Sequence, residues 1–227
     1  MSEKEIYLIT GGPSADAKQR IMDFKTALQS CGKPQPKVAY VGTASNDSKV
    51  FFHLLKKSIL KAGAKEVVLA PIADKHADIE TAKQILSEAD AIFLTGGEVE
   101  DGMLWLKKYN LDVFLTDLYK HGKLFFGLSA GCIMMGQHWV HWDIEDDDST
   151  SSLFDCLNFV PMTFDAHGEN EDWKELKCAL RLLGSGADGY GLSDGGFYCV
   201  DSEGHLTSFR NGPSIYSNID GNITRKA

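Results

Sequence analysis

The chain has 227 residues, a formal net charge of −9 and a hydrophobic content of 43%. This length fits one domain covering residues 1–227, and the negative charge argues against nucleic acid or an anionic membrane surface as a partner. No apolar run approaches the length needed to span a bilayer. The first residues lack a signal-peptide pattern and the five cysteines include no C-x-x-C pair, so we expect reduced thiols in a cytoplasmic protein.

The first part of the chain alternates short apolar runs with amphipathic segments. In chain order, it predicts a strand at 6–10, a helix at 17–31, a strand at 37–41, a helix at 50–62, a strand at 67–69, a helix at 78–89, a strand at 91–94, a helix at 103–119 with a break near Asn110, and a strand from Leu124. Strands and helices in this order form a parallel sheet covered on both faces. The predicted fold is therefore α/β, a three-layer sandwich with a mostly parallel central sheet and helices on both faces.

The C-terminal part has a different pattern. Residues 191–201, 205–210 and 214–222 are typical of short strands, with turns at Glu203-Gly204 and Asn211-Gly212. Because turns alone separate these strands, we expect a small antiparallel C-terminal extension.

The most informative stretch is Gly127-Leu128-Ser129-Ala130-Gly131, which follows the apolar run 124–126. A buried strand is predicted to end there and a helix to begin, so Ser129 falls at a sharp strand-to-helix turn. Such a turn strains the serine backbone and lifts the hydroxyl out of the sheet, where the Ala130 amide can face a developing oxyanion. The pattern favours a nucleophilic serine, although a serine that caps a helix also fits it.

A nucleophilic serine needs a general base, and His167 is the candidate among the seven histidines. It follows the extended apolar stretch 159–166 and precedes Gly168, which places it on a loop at a strand end. There it can serve as the base for Ser129 or be an ordinary loop histidine. Three other histidines, on helices or near helix ends, are interpreted as surface or packing residues: His53, His76 and His121.

The base needs an orienting acid, and the order nucleophile, acid, base places that acid between Ser129 and His167. Seven acidic residues lie in this interval: Asp143, Glu145, Asp146, Asp147, Asp148, Asp155 and Asp165. Most of them are interpreted as a solvated acidic loop, because only one carboxylate needs to reach the imidazole.

The same region contains two groups of residues of the types that bind metal ions, and neither metal hypothesis is favoured. His138, His141, Asp143 and Glu145 could bind a divalent cation, but the general-base glutamate of the zinc-protease spacing is missing. The segment that starts at Asp143 lacks the glycine and the last glutamate of a calcium-binding loop. We therefore expect no metal and no cofactor.

Three glycine-rich strand ends and the serine turn resemble the dipeptidase E and cyanophycinase family of serine peptidases. The matching segments are 9–12, 40–45, 94–97 and 127–131, followed by 154–161 and 191–196. That family shares its sheet architecture with the class I glutamine amidotransferases but uses serine where those use cysteine. The resemblance implies hydrolysis of small peptides without a cofactor.

Carried over to this sequence, the resemblance implies Ser129 as the nucleophile and His167 as the general base. It implies Glu145 as the orienting acid, with Asp143 as the alternative. It also implies that the backbone amides of Gly97 and Ala130 form the oxyanion hole.

Residue 98 departs from the family pattern, because Glu98 stands where the family usually has Asn or Asp. A carboxylate near the substrate would favour a cationic group such as a free α-amine, so Glu98 is a candidate substrate-binding residue. Aspartyl dipeptidases have a basic residue after the histidine, whereas the residues after His167 are acidic. Aspartyl specificity is therefore not favoured.

The leading hypothesis is a serine-dependent hydrolase of small peptides, monomeric or homodimeric, that forms an acyl-enzyme on Ser129. One alternative is an esterase with the α/β-hydrolase fold, which has the same serine turn but usually an H-G-G-G-type oxyanion loop. The other is a catalytically silent ligand-binding protein, which Glu98 and the crowded acidic loop would suit.

Overall fold

The computed structural model describes residues 4–11, 16–144 and 147–226. The strands in these ranges are β1 (Ile6–Ile9), β2 (Lys37–Val41), β3 (Glu66–Ala70), β4 (Ala91–Leu94), β5 (Leu124–Leu128), β6 (His138–Trp142), β7 (Ser151–Asp155), β8 (Thr163–Ala166), β9 (Asp188–Leu192), β10 (Phe197–Val200), β11 (Leu206–Arg210), β12 (Ser214–Ile219) and β13 (Asn222–Arg225). The α-helices are α1 (Ala17–Gln29), α2 (Lys49–Lys61), α3 (Ile79–Glu88), α4 (Val99–Lys108), α5 (Leu111–Lys120), α6 (Ala130–Met135) and α7 (Lys174–Leu183).

A seven-stranded sheet in the order β11-β10-β1-β5-β4-β2-β3 forms the centre of the fold. Strands β1 to β5 pair in parallel, and β10 and β11 add to the sheet antiparallel beside β1. The carboxyl ends of the parallel strands meet along one edge, which is where α/β sheets bind ligands.

Both faces of the central sheet are buried. Along β1, Ile6 and Leu8 belong to one core cluster and Tyr7 and Ile9 to the other, because successive side chains point to opposite faces. Helices α1 and α2 pack on the second cluster, and α3 to α6 pack on the first. Burial on both faces explains the continuous apolar strands, and it confirms the predicted three-layer α/β fold.

The helix predicted at 103–119 consists of two helices, α4 and α5. Asn110 lies between them and has a left-handed backbone, with φ of 54°, so the break occurs where it was predicted. The start was placed too late, because α4 begins at Val99, directly after the glycine-rich end of β4.

The C-terminal strands divide between two sheets. Strands β10 and β11 extend the central sheet, whereas β12 and β13 continue a four-stranded sheet in the order β13-β12-β9-β8. The strand predicted at 191–201 is interrupted by a turn in which Gly195 has φ of 72°. The antiparallel extension is therefore confirmed in strand direction, but it belongs to two sheets. Strands β6 and β7 form a separate antiparallel hairpin.

Each of the five cysteines is a free thiol. Burial raises the pKa of Cys132 and of Cys156 to about 12, so both stay protonated and inert near neutral pH. In the described ranges, no helix combines the length and the apolar character needed to cross a bilayer.

Candidate active site

Ser129 occupies the turn between β5 and α6. Its backbone has φ of 53° and ψ of −117°, a strained conformation for a residue with a side chain. The turn passes close to the end of β4, since a Cβ atom on Gly131 would lie 2.3 Å from the carbonyl oxygen of Leu94. Only glycine fits there, so a glycine two residues after the serine is a packing requirement of this turn.

His167 directly follows β8 and has a left-handed backbone, with φ of 68°. Its Nε2 lies 2.9 Å from the Oγ of Ser129, which is hydrogen-bond distance. The fold therefore brings together the two residues that the sequence singled out as nucleophile and base.

The other imidazole nitrogen of His167 faces a carboxylate. Its Nδ1 donates to the Oδ1 of Asp194, on the turn between β9 and β10. An ionised carboxylate only accepts hydrogen bonds, so Nδ1 carries the proton and Nε2 is left to accept from the Ser129 hydroxyl. This is the tautomer that a general base needs.

The parallel pairing of β8 with β9 explains why these residues meet. It sets Ala166 beside Leu192, so the residues that follow the two strand ends are neighbours in space. His167 and Asp194 are 27 positions apart in the sequence, and no local pattern predicts their contact.

Hydrogen bonds to three other segments fix the Asp194 turn. The amide of Gly195 donates to the carbonyl of Thr10 at 2.7 Å, and the amide of Asp194 donates to the Glu169 carboxylate at 2.9 Å. The side-chain amide of Asn211 donates to the Asp194 carbonyl at 2.9 Å. The Asp194 side chain is 53% exposed, so these bonds rather than burial hold it in place.

The expected position of the acid, between Ser129 and His167, does not match this geometry. Asp143 follows β6 directly and bonds instead to the Nε2 of His141, at 3.3 Å. Glu145 lies outside the described residues. The order along the chain is serine, histidine, aspartate, which also differs from the order in α/β-hydrolases.

A signal for Asp194 is nevertheless present in the sequence. It stands two residues after Leu192, at the carboxyl end of an apolar strand and before two glycines. The other glycine-rich strand ends have this same arrangement. Asp194 was not considered as the acid, because the acid was expected between Ser129 and His167.

Gly97 and Ala130 both line the cavity in front of Ser129. Gly97 has φ of 139°, and a Cβ atom there would lie 1.9 Å from the carbonyl oxygen of Ala44. Ala130 is the first residue of α6, where backbone amides have no partner inside the helix. Both residues therefore lie in the wall of the cavity that contains Ser129.

The cavity has a volume of about 520 Å³, within the usual range for small-molecule sites. Its walls come from residues 97–100 at the start of α4, residues 139–142 of β6, and residues between 165 and 175. Trp139 and Trp142 line it, whereas Trp173 is buried in a neighbouring core cluster.

Carboxyl groups dominate the polar lining of the cavity. They belong to Glu98, Glu100, Asp165, Glu171 and Glu175, and the described lining residues include no lysine or arginine. Two bases on α7 are paired elsewhere, Lys177 with Asp172 at 2.7 Å and Arg181 with Asp148 at 2.8 Å. The cavity therefore favours positively charged groups.

His141 connects the β6–β7 hairpin to α4. Its Nδ1 lies 2.8 Å from the Oε2 of Glu100, and this hydrogen bond is the main cause that raises the pKa of His141 above its ordinary value. His138, the other residue of the H-x-x-H pattern, contacts Asp155 at 3.1 Å. In the described part of the chain, no three His, Cys, Asp or Glu side chains are arranged to hold a metal ion.

Comparison with known families agrees with this geometry. Residues 7–205 match the model of peptidase family S51. The chain belongs to this family. The resemblance to dipeptidase E and cyanophycinase is thereby confirmed, and S51 membership makes the protein a peptidase.

Two relatives with similar sequences are named as uncharacterized peptidases. The chain is 23% identical over 218 residues to the uncharacterized peptidase YgaJ of Bacillus subtilis strain 168, covering 94% of this chain and 91% of the relative. It is 28% identical over 161 residues to the uncharacterized peptidase Lmo0363 of Listeria monocytogenes strain EGD-e, covering 68% and 74% of the two chains.

Solved structures share the fold of this S51 member. A provisionally named peptidase E protein from Listeria monocytogenes EGD-e superposes with a TM-score of 0.66 at 19% identity, over 93% of this chain and 100% of the other. A peptidase from an acI-B1 actinobacterium gives a TM-score of 0.63 at 14% identity, over 99% and 94%. The S51 family match favours a peptidase over an esterase of the α/β-hydrolase fold.

Proposed function

We propose that this S51 member is a serine peptidase that cleaves small peptides through an acyl-enzyme on Ser129. The observation that carries the proposal is the 2.9 Å contact between the Ser129 Oγ and the His167 Nε2, with Asp194 bound at the other ring nitrogen. In this assignment Ser129 is the nucleophile, His167 is the general base, and Asp194 is the orienting acid in place of Glu145 or Asp143.

The proposed first half-reaction acylates the serine. The His167 Nε2 takes the hydroxyl proton while the Ser129 Oγ bonds to the peptide carbonyl carbon, and the amides of Gly97 and Ala130 stabilise the oxyanion. The imidazolium then gives this proton to the leaving amine as the C–N bond breaks. Asp194 keeps the Nδ1 protonated and stabilises the positive charge on the ring.

In the second half-reaction, His167 takes a proton from water as the water oxygen bonds to the acyl carbon. The proton then passes to the Ser129 Oγ as the ester bond breaks, which restores the free enzyme.

The shape of the site supports short substrates. A cavity of about 520 Å³ holds a ligand of a few residues, and Glu98 at the start of α4 is proposed to contact the substrate. We further propose that the protein works in the cytoplasm as a monomer or homodimer, without a cofactor and without nucleic-acid or membrane partners. The free thiols and the net charge of −9 support this setting.

Labelling with a small fluorophosphonate, followed by intact-mass measurement, tests the assignment. We expect one adduct on the wild type, no adduct on Ser129→Ala and a strongly slowed reaction on His167→Ala. His205→Ala is the matched control, because His205 also contacts an aspartate, Asp201, but does not line the cavity.

Dipeptide hydrolysis completes the test, with a loss of at least about 10⁴-fold in kcat expected for Ser129→Ala. An unlabelled but folded wild type without hydrolysis would favour the catalytically silent binding protein. Hydrolysis that survives in Ser129→Ala would refute the serine mechanism.

A further inference from the structure

An arginine from the C-terminal strands binds the turn that carries Asp194. Arg210, the last residue of β11, donates from its Nε to the carbonyl oxygen of Gly195, the residue directly after Asp194. Its neighbour Asn211 donates to the carbonyl of Asp194 itself, at 2.9 Å. Two successive side chains of one segment therefore bind two successive carbonyl groups of the turn.

The guanidinium of Arg210 is fixed at its other end by Asp23 of α1. Its Nη1 and Nη2 donate to the two carboxylate oxygens of Asp23, at 3.0 and 2.7 Å, which makes the pair bidentate. The Asp23 side chain is only 5% exposed, and it also accepts a hydrogen bond from Gln19 at 3.0 Å. Solvent screens such a pair weakly, and the planar guanidinium gives it one orientation. The Nε of the same rigid group is therefore aimed at Gly195 in a fixed direction.

An irregularity in the pairing of β10 with β11 gives Arg210 this position. Ser208 and Arg210 pair with two successive residues of β10, so Phe209 between them is an extra residue, a β-bulge. The ring of Phe209 stacks on Phe197 with the centroids 4.8 Å apart, on the face of the sheet that α1 covers. Arg210 reaches α1 on that same face, although successive residues of a regular strand face opposite sides. The bulge thus redirects the arginine towards α1 and the Asp194 turn.

We propose that Arg210 is a positioning residue for the proposed triad. It links the Gly195 carbonyl to α1 and thereby fixes the direction from which the Asp194 carboxylate meets the Nδ1 of His167. The Asp194 side chain is 53% exposed, so the hydrogen bonds of its turn, rather than burial, set its position. The proposal rests on the proposed peptidase function, and Arg210 acts in it only through Asp194.

A double-mutant cycle distinguishes this role from a general contribution to stability. The rate of fluorophosphonate labelling of Ser129 is measured by intact mass for the wild type, Arg210→Ala, Asp194→Asn and the double variant. We expect Arg210→Ala to be labelled about 10- to 100-fold more slowly than the wild type, because a misplaced carboxylate no longer aligns the base. In the Asp194→Asn background, the same change should slow labelling by less than about 2-fold, because the carboxylate that Arg210 positions is already absent.

Two further variants control for stability. Arg210→Ala also leaves the buried Asp23 without its cation, which destabilises the fold. Arg210→Lys keeps a cation beside Asp23 but lacks the planar fork that reaches two groups at once, so it should be labelled slowly as well, and it replaces Arg210→Ala in the cycle if that variant does not fold. Arg225→Ala is the matched control and should be labelled at the wild-type rate. Arg225 also donates to a neighbouring strand, at 3.1 Å to Ser214, but it is not among the described residues that line the catalytic cavity.

The tautomer of His167 gives a readout that does not depend on Ser129. Nitrogen NMR of protein labelled with ¹⁵N-histidine reports which ring nitrogen carries the proton, and His167→Ala assigns the signals. We expect the proton on Nδ1 in the wild type and in Arg225→Ala, and a mixture of tautomers in both Arg210 variants.

Three results would overturn the positioning role. They are a wild-type labelling rate in the folded Arg210 variants, an unchanged tautomer in those variants, and an equally large loss of labelling in the Asp194→Asn background. A wild type that is not labelled at all would refute the proposed function instead, and the tautomer in the Arg210 variants would then decide on the positioning role.

Discussion

Ionisation of Asp165 should cause a large part of the change in unfolding free energy with pH. The variant Asp165→Asn keeps the shape of the side chain and removes its ionisable proton. In the native protein the pKa of Asp165 is raised to about 8, whereas an aspartate in an unfolded chain ionises near pH 3.9. Between these pH values the native state holds a proton that the unfolded state has released, so rising pH favours unfolding.

The size of the effect follows from proton linkage. One proton held only by the native state lowers the unfolding free energy by up to about 1.4 kcal/mol for each pH unit gained. From about pH 5 to about pH 7, the wild type should therefore lose up to about 2.7 kcal/mol relative to Asp165→Asn. The wild type is stabilised by this proton at low pH and loses that contribution as the pH rises towards 8.

Urea unfolding at about pH 5, 6 and 7 measures this difference, with the linear extrapolation giving the free energy at each pH. Asp188→Asn is the control of opposite sign. Burial raises the pKa of Asp188, but hydrogen bonds from Lys226 and Ser217 outweigh burial and lower it below its ordinary value. Its contribution is lost only in acid, so the Asp188→Asn difference should stay flat over this range. A flat difference for Asp165→Asn as well would refute the reasoning.

Three further predictions concern the active site. Asp194→Asn should lower kcat for dipeptide hydrolysis about 10²- to 10³-fold with little change in KM, because the imidazole loses its tautomer; unchanged steady-state kinetics would exclude Asp194 as the orienting acid. Gly97→Ala should lower the unfolding free energy, measured by urea denaturation, by about 2–4 kcal/mol. Gly204→Ala, where φ is 84° but no atom lies within 4 Å, should lower it by only about 1–2 kcal/mol, and equal effects would contradict the close approach of Gly97 to Ala44. Glu100→Gln should lower the pKa of His141 in an NMR titration, because its hydrogen bond to Glu100 favours the imidazolium, and an unchanged midpoint would contradict that contact.

Much of the fold was predictable because the central sheet is buried on both faces. A strand such as Ile6–Ile9 must then be apolar throughout, and the flanking helices must be amphipathic, so local patterns were sufficient. The turn at Ser129 was predictable for a different reason. Gly131, two residues after the serine, packs so closely against the backbone of Leu94 that no other residue fits. This requirement produces the recognisable spacing of glycines around the serine.

The contact of Asp194 with His167 was not predictable from local patterns, although the strand end that carries Asp194 was. Its contact with His167 depends on the pairing of β8 with β9, and no residue in either segment encodes which strand will be its neighbour. The β6–β7 hairpin was missed as well. Its His and Trp residues gave no strand prediction, and in the structure His138 and His141 bind carboxylates across the hairpin and on α4.

The pairing of β1 has a consequence for the newly made protein. This strand lies between β5 and β10, so Ile6 pairs with Phe125 on one side and with Val200 on the other. A chain still attached to the ribosome cannot complete this pairing until Val200 has left the exit tunnel. The turn that carries Asp194 precedes β10 and is held to the end of β1 by the hydrogen bond from Gly195 to Thr10. Until then, Ser129 and His167 lack the Asp194 carboxylate that is proposed to align them. Under the proposed mechanism, a nascent chain therefore gains peptidase activity only after β10 has paired with β1.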